Sequence, residues 1–220
     1  MKKSKLLFAL TALLTALLVV SGAVAVPLLV RPFYYAHVPL MGLAEYTGLS
    51  AEQIRQAYDQ VMDFCLGLRP DFSAGVLGWS PSGAAHFADV RALFILDLWV
   101  LAASLGALAI LLLVRRITRI EPCRVLGRGA GFWAAAGVSG TFLVVGGLAA
   151  LDFSRAFVVF HTLFFPGKEN WIFDWRDDPV ILILPEGFFR NCAILVLALV
   201  LLACLGLIVA DFGSRAGKRR

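Results

Sequence analysis

The chain has 220 residues, of which 60% are hydrophobic, and its formal net charge is +5. Ordinary soluble domains are about 45–50% apolar, so this composition excludes a soluble globular protein. No nucleic-acid partner is needed to explain the basic excess, and none is expected, because basic residues beside membrane segments bind anionic lipid head groups.

Four segments are apolar and long enough to cross a bilayer, which takes about 20 residues. They cover residues 6–30, 93–114, 129–151 and 189–210. The pattern predicts an all-α membrane protein with a four-helix transmembrane bundle. It is expected to form a single domain over residues 1–220, with long loops over residues 31–92 and 152–188.

The first segment allows two interpretations. Lysines, an apolar stretch and the small residues Ala23, Val24 and Ala25 are typical of a cleaved signal peptide. The apolar run, however, continues past Ala25 to Val30. This length favours a retained anchor, and the sequence therefore predicts four spans rather than three.

Charge predicts the orientation of the spans. Three lysines lie in residues 1–5, five arginines and one acid in residues 115–128, and four basic residues and one acid after residue 210. The positive-inside rule places these segments, and both chain ends, in the cytoplasm. Residues 31–92 and 152–190 each carry four basic and six acidic residues, and they are predicted to lie outside the cell.

The first outer loop contains a predicted helix followed by a turn-rich stretch. Ser50 precedes Gln53 by three residues, which is the spacing of a capping box. Apolar residues at helical intervals then predict an amphipathic helix over residues 51–68. Residues 71–83 are rich in Gly, Ser and Pro, which predicts a loop.

Polar residues precede and enter the second span at helical spacing. If this helix begins before residue 93, His86, Asp89 and Asp97 lie on one face. A carboxylate inside an apolar span is costly unless it faces the bundle or water. Asp97 is therefore predicted either to act in function or to bond a neighbouring helix.

The second outer loop is unusually aromatic. Asp152 is placed to cap a helix that runs through Phe165, and Pro166 and Gly167 end it. His161 lies in the middle of this helix. The aromatic side chains are expected to pack on the bundle and the lipid head groups, to form a cavity for acyl chains, or both.

All three histidines fall in the predicted outer loops. His37 has no acidic neighbour in sequence and is predicted to be structural. His86 has Asp89 one helical turn away, and His161 precedes several aspartates. This set allows either a metal site or general acid–base chemistry, but the ligand spacing H-E-x-x-H does not occur. No metal ligand is assigned.

The four cysteines form no C-x-x-C pair, which disfavours a thiol-redox site and a zinc site. Cys65 and Cys192 could pair outside the membrane. The favoured role for both is that of a small apolar residue in the core.

Two motifs in chain order carry a family resemblance. The first is His86-Phe87-Ala88-Asp89-Val90, followed by a membrane span. The second comprises Phe160-His161-Thr162-Leu163-Phe164-Phe165, then Trp171-Ile172-Phe173, Asp178 and Leu184-Pro185-Glu186-Gly187-Phe188-Phe189. With four spans and two outer loops around them, these motifs resemble those of the lipoprotein intramolecular transacylases, a family of bacterial membrane proteins.

The resemblance implies a four-helix bundle capped by an extracellular domain built from the two outer loops. It implies transfer of the sn-2 acyl chain of a lipoprotein's diacylglyceryl cysteine to the α-amine of that cysteine, which gives the lyso-form lipoprotein. The family's two essential histidines map onto His86 and His161. The expected partners are the diacylglyceryl lipoprotein substrate and membrane lipids, and no cofactor is expected.

The expected roles follow from the chemistry of this acyl transfer. His161 is assigned as general base and His86 as a proton shuttle oriented by Asp89, although the two histidines could exchange roles. Proton transfer predicts that their rings approach within roughly 4–7 Å. The residues assigned to substrate binding are Arg155, Lys168, Asn170 and Asp97, of which the first three are candidate donors to the oxyanion.

Two alternatives stay open at this point. The chain could be a non-catalytic membrane partner of a cell-envelope complex. It could also be a metal-dependent membrane hydrolase that uses His86, His161 and the carboxylates of the outer loops.

Overall fold

The computed structural model describes the backbone of residues 3–216 and the side chains of residues 3–214. Basic residues used above for orientation, at position 2 and positions 215–220, lie outside the described side chains. The helices are α1 (Lys5–Leu29), α2 (Arg31–Leu40), α3 (Leu43–Thr47), α4 (Ala51–Cys65), α5 (Pro81–Thr118), α6 (Ala130–Leu151), α7 (Phe153–Phe164) and α8 (Glu186–Ala216). Two short strands, β1 (Lys3–Ser4) and β2 (Glu121–Pro122), pair in parallel, and Pro179–Ile183 forms a 3₁₀ turn.

Four helices, α1, α5, α6 and α8, are long and apolar enough to cross a membrane. This confirms the predicted all-α membrane protein with four spans. Two of these helices extend well beyond the predicted apolar segments: α5 begins at Pro81 rather than at residue 93, and α8 begins at Glu186 rather than at residue 189. Hydropathy detects only the apolar part of a helix, whereas hydrogen bonding continues through its polar turns. The loop predicted over residues 31–92 therefore ends at residue 80.

The described residues fall into two compact units, and the single domain expected over residues 1–220 stays a prediction. The first unit takes its described residues from Met1–Ala25, Leu98–Gly147 and Leu195–Arg220. The second unit comprises Val26–Asp97 and Leu148–Ile194. Each of the four long helices contributes residues to both units.

Small residues bring the helices of the first unit close together. Ala23 of α1, Ala135 of α6 and Cys204 of α8 are buried in one core cluster with Val200. At Gly146, a Cβ atom would lie 2.9 Å from Leu197 Cδ2, so α6 and α8 approach closely at this glycine. Small side chains at helix contacts are typical of membrane proteins, where close packing replaces the hydrophobic effect.

The second unit is built around α2, α4 and the 3₁₀ turn. The rings of Tyr34 and Tyr58 stack at 3.6 Å, and Tyr34 Oη donates to the Ile183 carbonyl at 2.7 Å. The predicted capping box is confirmed: Ser50 Oγ accepts from Gln53 N–H, and Gln53 Oε1 accepts from Ser50 N–H. The helix that it starts ends at Cys65, earlier than the predicted residue 68.

Cys65 and Cys192 are both free thiols in the structure. Cys65 is almost fully buried, which fits the predicted role of a small apolar residue. Burial raises the pKa of the Cys65 thiol to about 12, so it is not a nucleophile at neutral pH.

Candidate active site

The first turns of α5 carry two of the predicted site residues. Pro81 begins the helix, where its missing N–H costs nothing. Ser80 precedes it, and the Ser80 hydroxyl accepts a hydrogen bond from Gly83 N–H at 3.0 Å. His86 and Asp89, three residues apart in this helix, therefore project from neighbouring positions of the same face.

His86 lies in an aromatic environment and is 5% exposed. The rings of Phe165 and Phe173 meet its ring nearly edge-on, at 4.9 Å and 5.5 Å between centroids. Its Nδ1 atom is buried without a hydrogen-bond partner among the described residues. An unpaired buried polar atom is costly, so this nitrogen is open to a partner from outside the described chain.

His161 is fixed by the helix that carries it. Asp152 caps α7 as predicted, with its side chain accepting from Arg155 N–H at 2.9 Å. The Nδ1 atom of His161 lies 2.8 Å from the Phe157 carbonyl oxygen. A carbonyl oxygen can only accept, so Nδ1 carries the proton, and in the neutral ring Nε2 keeps the lone pair that a base needs.

The two histidines meet within the second unit. Their ring centroids lie 5.7 Å apart, with an angle of 34° between the ring planes. Phe165 contacts both rings, at 4.9 Å from His86 and 5.7 Å from His161. The separation agrees with the predicted approach of roughly 4–7 Å, which is close enough to share a substrate directly or through one water.

Two residues of the segment after α7 hold Asp89. Lys168 Nζ donates to Asp89 Oδ1 at 2.5 Å, and Asn170 Nδ2 donates to Asp89 Oδ2 at 3.1 Å. The ion pair is partly open to solvent, since the Lys168 side chain is 48% exposed. Three residues predicted from sequence to act in the site are thus joined to one another.

Asn170 also lies beside His86. The Asn170 side chain interacts with the His86 ring. Neither the Asn170 amide oxygen nor His86 Nδ1 meets the geometric criteria for a hydrogen bond to a described residue. Asp89 is therefore linked to His86 through Asn170, in place of the direct contact that the sequence suggested.

Two of the predicted substrate-binding residues are not joined to this cluster. Arg155 is exposed and its guanidinium makes no hydrogen bond or ion pair with any described residue. Asp97 is partly buried, and its Oδ2 atom finds no hydrogen-bond donor in the part of the chain that the structure describes.

His37 lies outside the cluster and is fully bonded. Its Nδ1 atom lies 2.6 Å from the Phe33 carbonyl oxygen, and its Nε2 accepts from Asn191 Nδ2 at 3.0 Å. Both ring nitrogens are occupied, which agrees with the predicted structural role.

Aromatic partners of the histidines were not assigned individually from sequence. Trp171 stacks on the His161 ring at 4.7 Å and 28°, and Phe157 approaches the same ring at 4.2 Å. Phe173 contacts both His86 and Phe87. The density of aromatic residues in this part of the chain was the available signal, but their partners depend on long-range packing.

The electrostatics of His161 suit a base. Burial lowers the pKa of the His161 imidazole below its ordinary value, and the hydrogen bond to the Phe157 carbonyl opposes this only in part. The ring is therefore neutral at pH 7. Within the described residues, no group of three or more His, Cys, Asp or Glu side chains is arranged to hold a metal ion.

Comparison with known proteins identifies the family. The model of the lipoprotein intramolecular transacylase Lit matches residues 9–189. The fold is similar to that of the membrane-integral lipoprotein intramolecular transacylase Lit from Bacillus cereus, with a TM-score of 0.82 at 20% identity, covering 97% of this chain and 96% of that one.

Two further structures of the Bacillus cereus protein, in which one histidine is replaced by arginine or by alanine, give TM-scores of 0.79 and 0.77 at 20% identity. They cover 97% and 96% of this chain, and this chain covers 92% and 94% of theirs. No curated protein matches the sequence. Because the family model spans most of the chain and includes both histidine motifs, this chain belongs to the lipoprotein intramolecular transacylase family.

Proposed function

We propose that the chain moves the sn-2 acyl chain of a lipoprotein's diacylglyceryl cysteine to the α-amine of that cysteine. The amine nitrogen attacks the ester carbonyl, a C–N bond forms, and the C–O bond to glycerol breaks. The amine loses a proton and the glycerol oxygen gains one, so no other reactant is needed. The observation that carries the proposal, beside family membership, is the 5.7 Å separation of His86 and His161.

His161 acts as the general base in this proposal. Its Nδ1–H is bonded to the Phe157 carbonyl, which leaves the Nε2 lone pair to take the proton of the attacking amine. An α-amine has a pKa of about 8, and it attacks the ester in its neutral form. Its nitrogen becomes acidic as the C–N bond forms. A neutral imidazole is suited to accept a proton at that moment.

His86 passes the proton towards the leaving glycerol oxygen. It faces His161 across the shared contact with Phe165. Asn170 orients it, and Asp89 in turn orients Asn170 through the bond of 3.1 Å. The order of the two histidines in proton transfer is part of the proposal, and comparing the rates of His86→Ala and His161→Ala tests it.

Lys168 and Asn170 supply donors for the oxyanion of the tetrahedral intermediate. Lys168 Nζ has three hydrogens, and its bond to Asp89 uses one of them. Donors that are fixed before the reaction stabilise developing charge without reorganisation. Arg155 and Asp97 remain proposed substrate contacts, and neither takes part in proton transfer.

The proposed site lies on the extracellular face, with both chain ends in the cytoplasm. Five arginines in residues 115–128 and the acidic excess in residues 31–92 and 152–190 support this orientation. The loops that carry the site would then form an extracellular cap, where a lipoprotein anchored in the outer leaflet can reach it. Membrane lipids surround the four spans.

Expression in a bacterium that lacks N-acylation of its lipoproteins tests the function. The N-terminal lipopeptide should keep its total mass, because the acyl chain only changes place. Fragmentation by mass spectrometry should show one chain on nitrogen and one on glycerol. Correctly inserted protein that leaves both chains on glycerol would refute the proposed function.

A further inference from the structure

Asp178 is a buried carboxylate outside the histidine cluster, and it is 5% exposed. Its Oδ1 accepts a hydrogen bond from Ser80 N–H at 2.7 Å, and its Oδ2 accepts one from the Ser80 hydroxyl at 2.8 Å. Buried carboxylates are costly unless they are bonded. These two bonds tie the segment between α7 and the 3₁₀ turn, residues 165–178, to the residue that precedes α5.

Ser80 transmits this restraint to the first turn of α5. Its hydroxyl accepts from Gly83 N–H at 3.0 Å, and its carbonyl accepts from Ala84 N–H at 2.9 Å. These bonds satisfy N–H groups that have no partner within the helix. The negative charge of Asp178 also lies at the end of α5 where the helix dipole is positive, which stabilises it.

Gly83 permits the 165–178 segment to approach the helix closely. A Cβ atom at this position would lie 2.2 Å from Asp178 Oδ1 and 3.1 Å from Phe173 Cε1. The first distance is far inside van der Waals contact, so a side chain at this position would displace the Asp178 carboxylate from its bonds to Ser80. Gly83 is one helical turn before His86, and the displacement would occur beside that ring.

The same segment supplies most of the side chains that surround the two histidines. Phe173 lies 5.5 Å from the His86 ring, and Trp171 stacks on His161 at 4.7 Å. Lys168 and Asn170 bind Asp89. The position of the 165–178 segment against α5 therefore determines the surroundings of both rings.

We propose that Asp178 is a positioning residue for the acyl transfer. By bonding Ser80, it fixes the 165–178 segment against α5 and so sets the alignment of His86 with His161. No described contact joins Asp178 to either histidine, so it acts only through the groups that it holds. The expected effect of Asp178 on the rate rests on the proposed function. Its expected effect on the alignment of the two imidazole rings does not.

Histidine-selective NMR of the full-length protein separates positioning from a purely structural cap. The chain has three histidines, and His37 serves as an internal reference because both its nitrogens are bonded elsewhere. In Asp178→Ala, the ring signals of His86 should move while those of His37 stay. A structural cap would lower stability and leave the His86 signals of the folded protein unchanged.

The kinetic counterpart is a loss in kcat. Misplacing catalytic groups by about 1 Å can cost about 100-fold, so Asp178→Ala and Ser80→Ala should lower kcat by about 10–100-fold with little change in KM. Ser80→Thr keeps the hydroxyl and should behave like the wild type.

Two alanine substitutions in α5 test the same role while Asp178 stays in place. Alanine stabilises a helix interior relative to glycine. Gly83→Ala should nevertheless lower kcat and move the His86 signals. Gly106→Ala, in the same helix with no atom within 4 Å of the added Cβ, should do neither. Combining Gly83→Ala with Asp178→Ala should cost less than the product of the two single losses.

The two possible failures are distinguishable. A wild type without acyl transfer refutes the proposed function, whatever the ring signals do. Unchanged His86 signals in folded Asp178→Ala would overturn the positioning role. If Asp178→Ala does not fold, Gly83→Ala decides: kcat and ring signals equal to those of Gly106→Ala would overturn the proposal.

Discussion

Helices α2 and α7 each hold a histidine through its Nδ1 atom. The two histidines differ in whether the Nε2 atom also has a hydrogen-bond partner. The Nδ1 atoms of His37 and His161 each bond a carbonyl oxygen four residues earlier, at 2.6 Å and 2.8 Å. Both side chains are 7% exposed. The Nε2 atom of His37 accepts a hydrogen bond from Asn191, whereas no described residue bonds Nε2 of His161.

The comparison gives the physical reason why His161, rather than His37, is proposed as the base. In both rings the backbone holds the proton on Nδ1, so Nε2 carries the lone pair. In α2 this lone pair is used within the structure, and the ring is a packing element. In α7 it remains available, and a second imidazole lies 5.7 Å away.

The largest expected effect comes from replacing His161 by alanine, with His37→Ala as the matched control. His161→Ala should lower acyl transfer by about 10²–10⁴-fold, because general base catalysis is lost. His37→Ala should lower stability and retain the rate per folded protein. Conversion of lipopeptide to the lyso form, normalised to folded protein, measures both. A similar loss of rate in both variants would show that the comparison is wrong.

His86→Ala should have a smaller effect than His161→Ala but still cost at least ~10²-fold, because one carrier in the proton path is removed. Asp89→Asn should cost less than His86→Ala, since it disturbs orientation without removing a proton carrier. Single-turnover rates of the purified variants give this order. If His86→Ala proved the more severe of the two histidine variants, the roles of the histidines would be exchanged.

The pH dependence of the rate sharpens the assignment of the base. As pH falls below about 8, protonation of the substrate amine should give a slope of about one in the logarithm of the rate. Because burial lowers the pKa of His161, the slope should steepen to about two only at a pH below the ordinary imidazole range, where His161 also becomes protonated. His161→Ala should keep the first limb and lose the second. A second limb that persists in this variant would assign it to another group.

The smallest effect on rate is expected at Asn191. Replacement by leucine leaves the buried Nε2 of His37 without its donor, and this should lower the free energy of unfolding by about 1–3 kcal/mol. The rate per folded protein should not change. The double variant with His37→Leu should recover part of the stability, because no unpaired polar atom remains. A rate loss in Asn191→Leu comparable to that of His86→Ala would contradict the structural role of His37.

Local features of the fold could be predicted from sequence. The four apolar helices, the capping box at Ser50 and the cap at Asp152 each depend on residues within a few positions of one another. The start of α5 was not predicted, because its first turns are too polar for hydropathy. The bond between Asp178 and Ser80 gives that start a partner almost a hundred residues away in sequence.

The candidate site residues could be named from sequence, but the contacts among them could not. The motifs pointed to His86, His161 and Asp89, and the positions of Lys168 and Asn170 pointed to donors. That the two donors bind Asp89, and that Asn170 stands between Asp89 and His86, depends on how the 165–178 segment packs on α5. Arg155, like Lys168, was a candidate oxyanion donor because of its position in the second outer loop. No contact joins Arg155 to the cluster, because it lies exposed on α7.

The central claim is that Nε2 of His161 takes the proton of the attacking amine. Its most direct test is the single-turnover rate of purified wild type and His161→Gln on a synthetic diacylglyceryl-cysteine lipopeptide at pH 7. Glutamine keeps a polar side chain but cannot accept the proton, so the rate should fall by at least ~10²-fold. A folded His161→Gln protein with a rate equal to that of the wild type would contradict the claim.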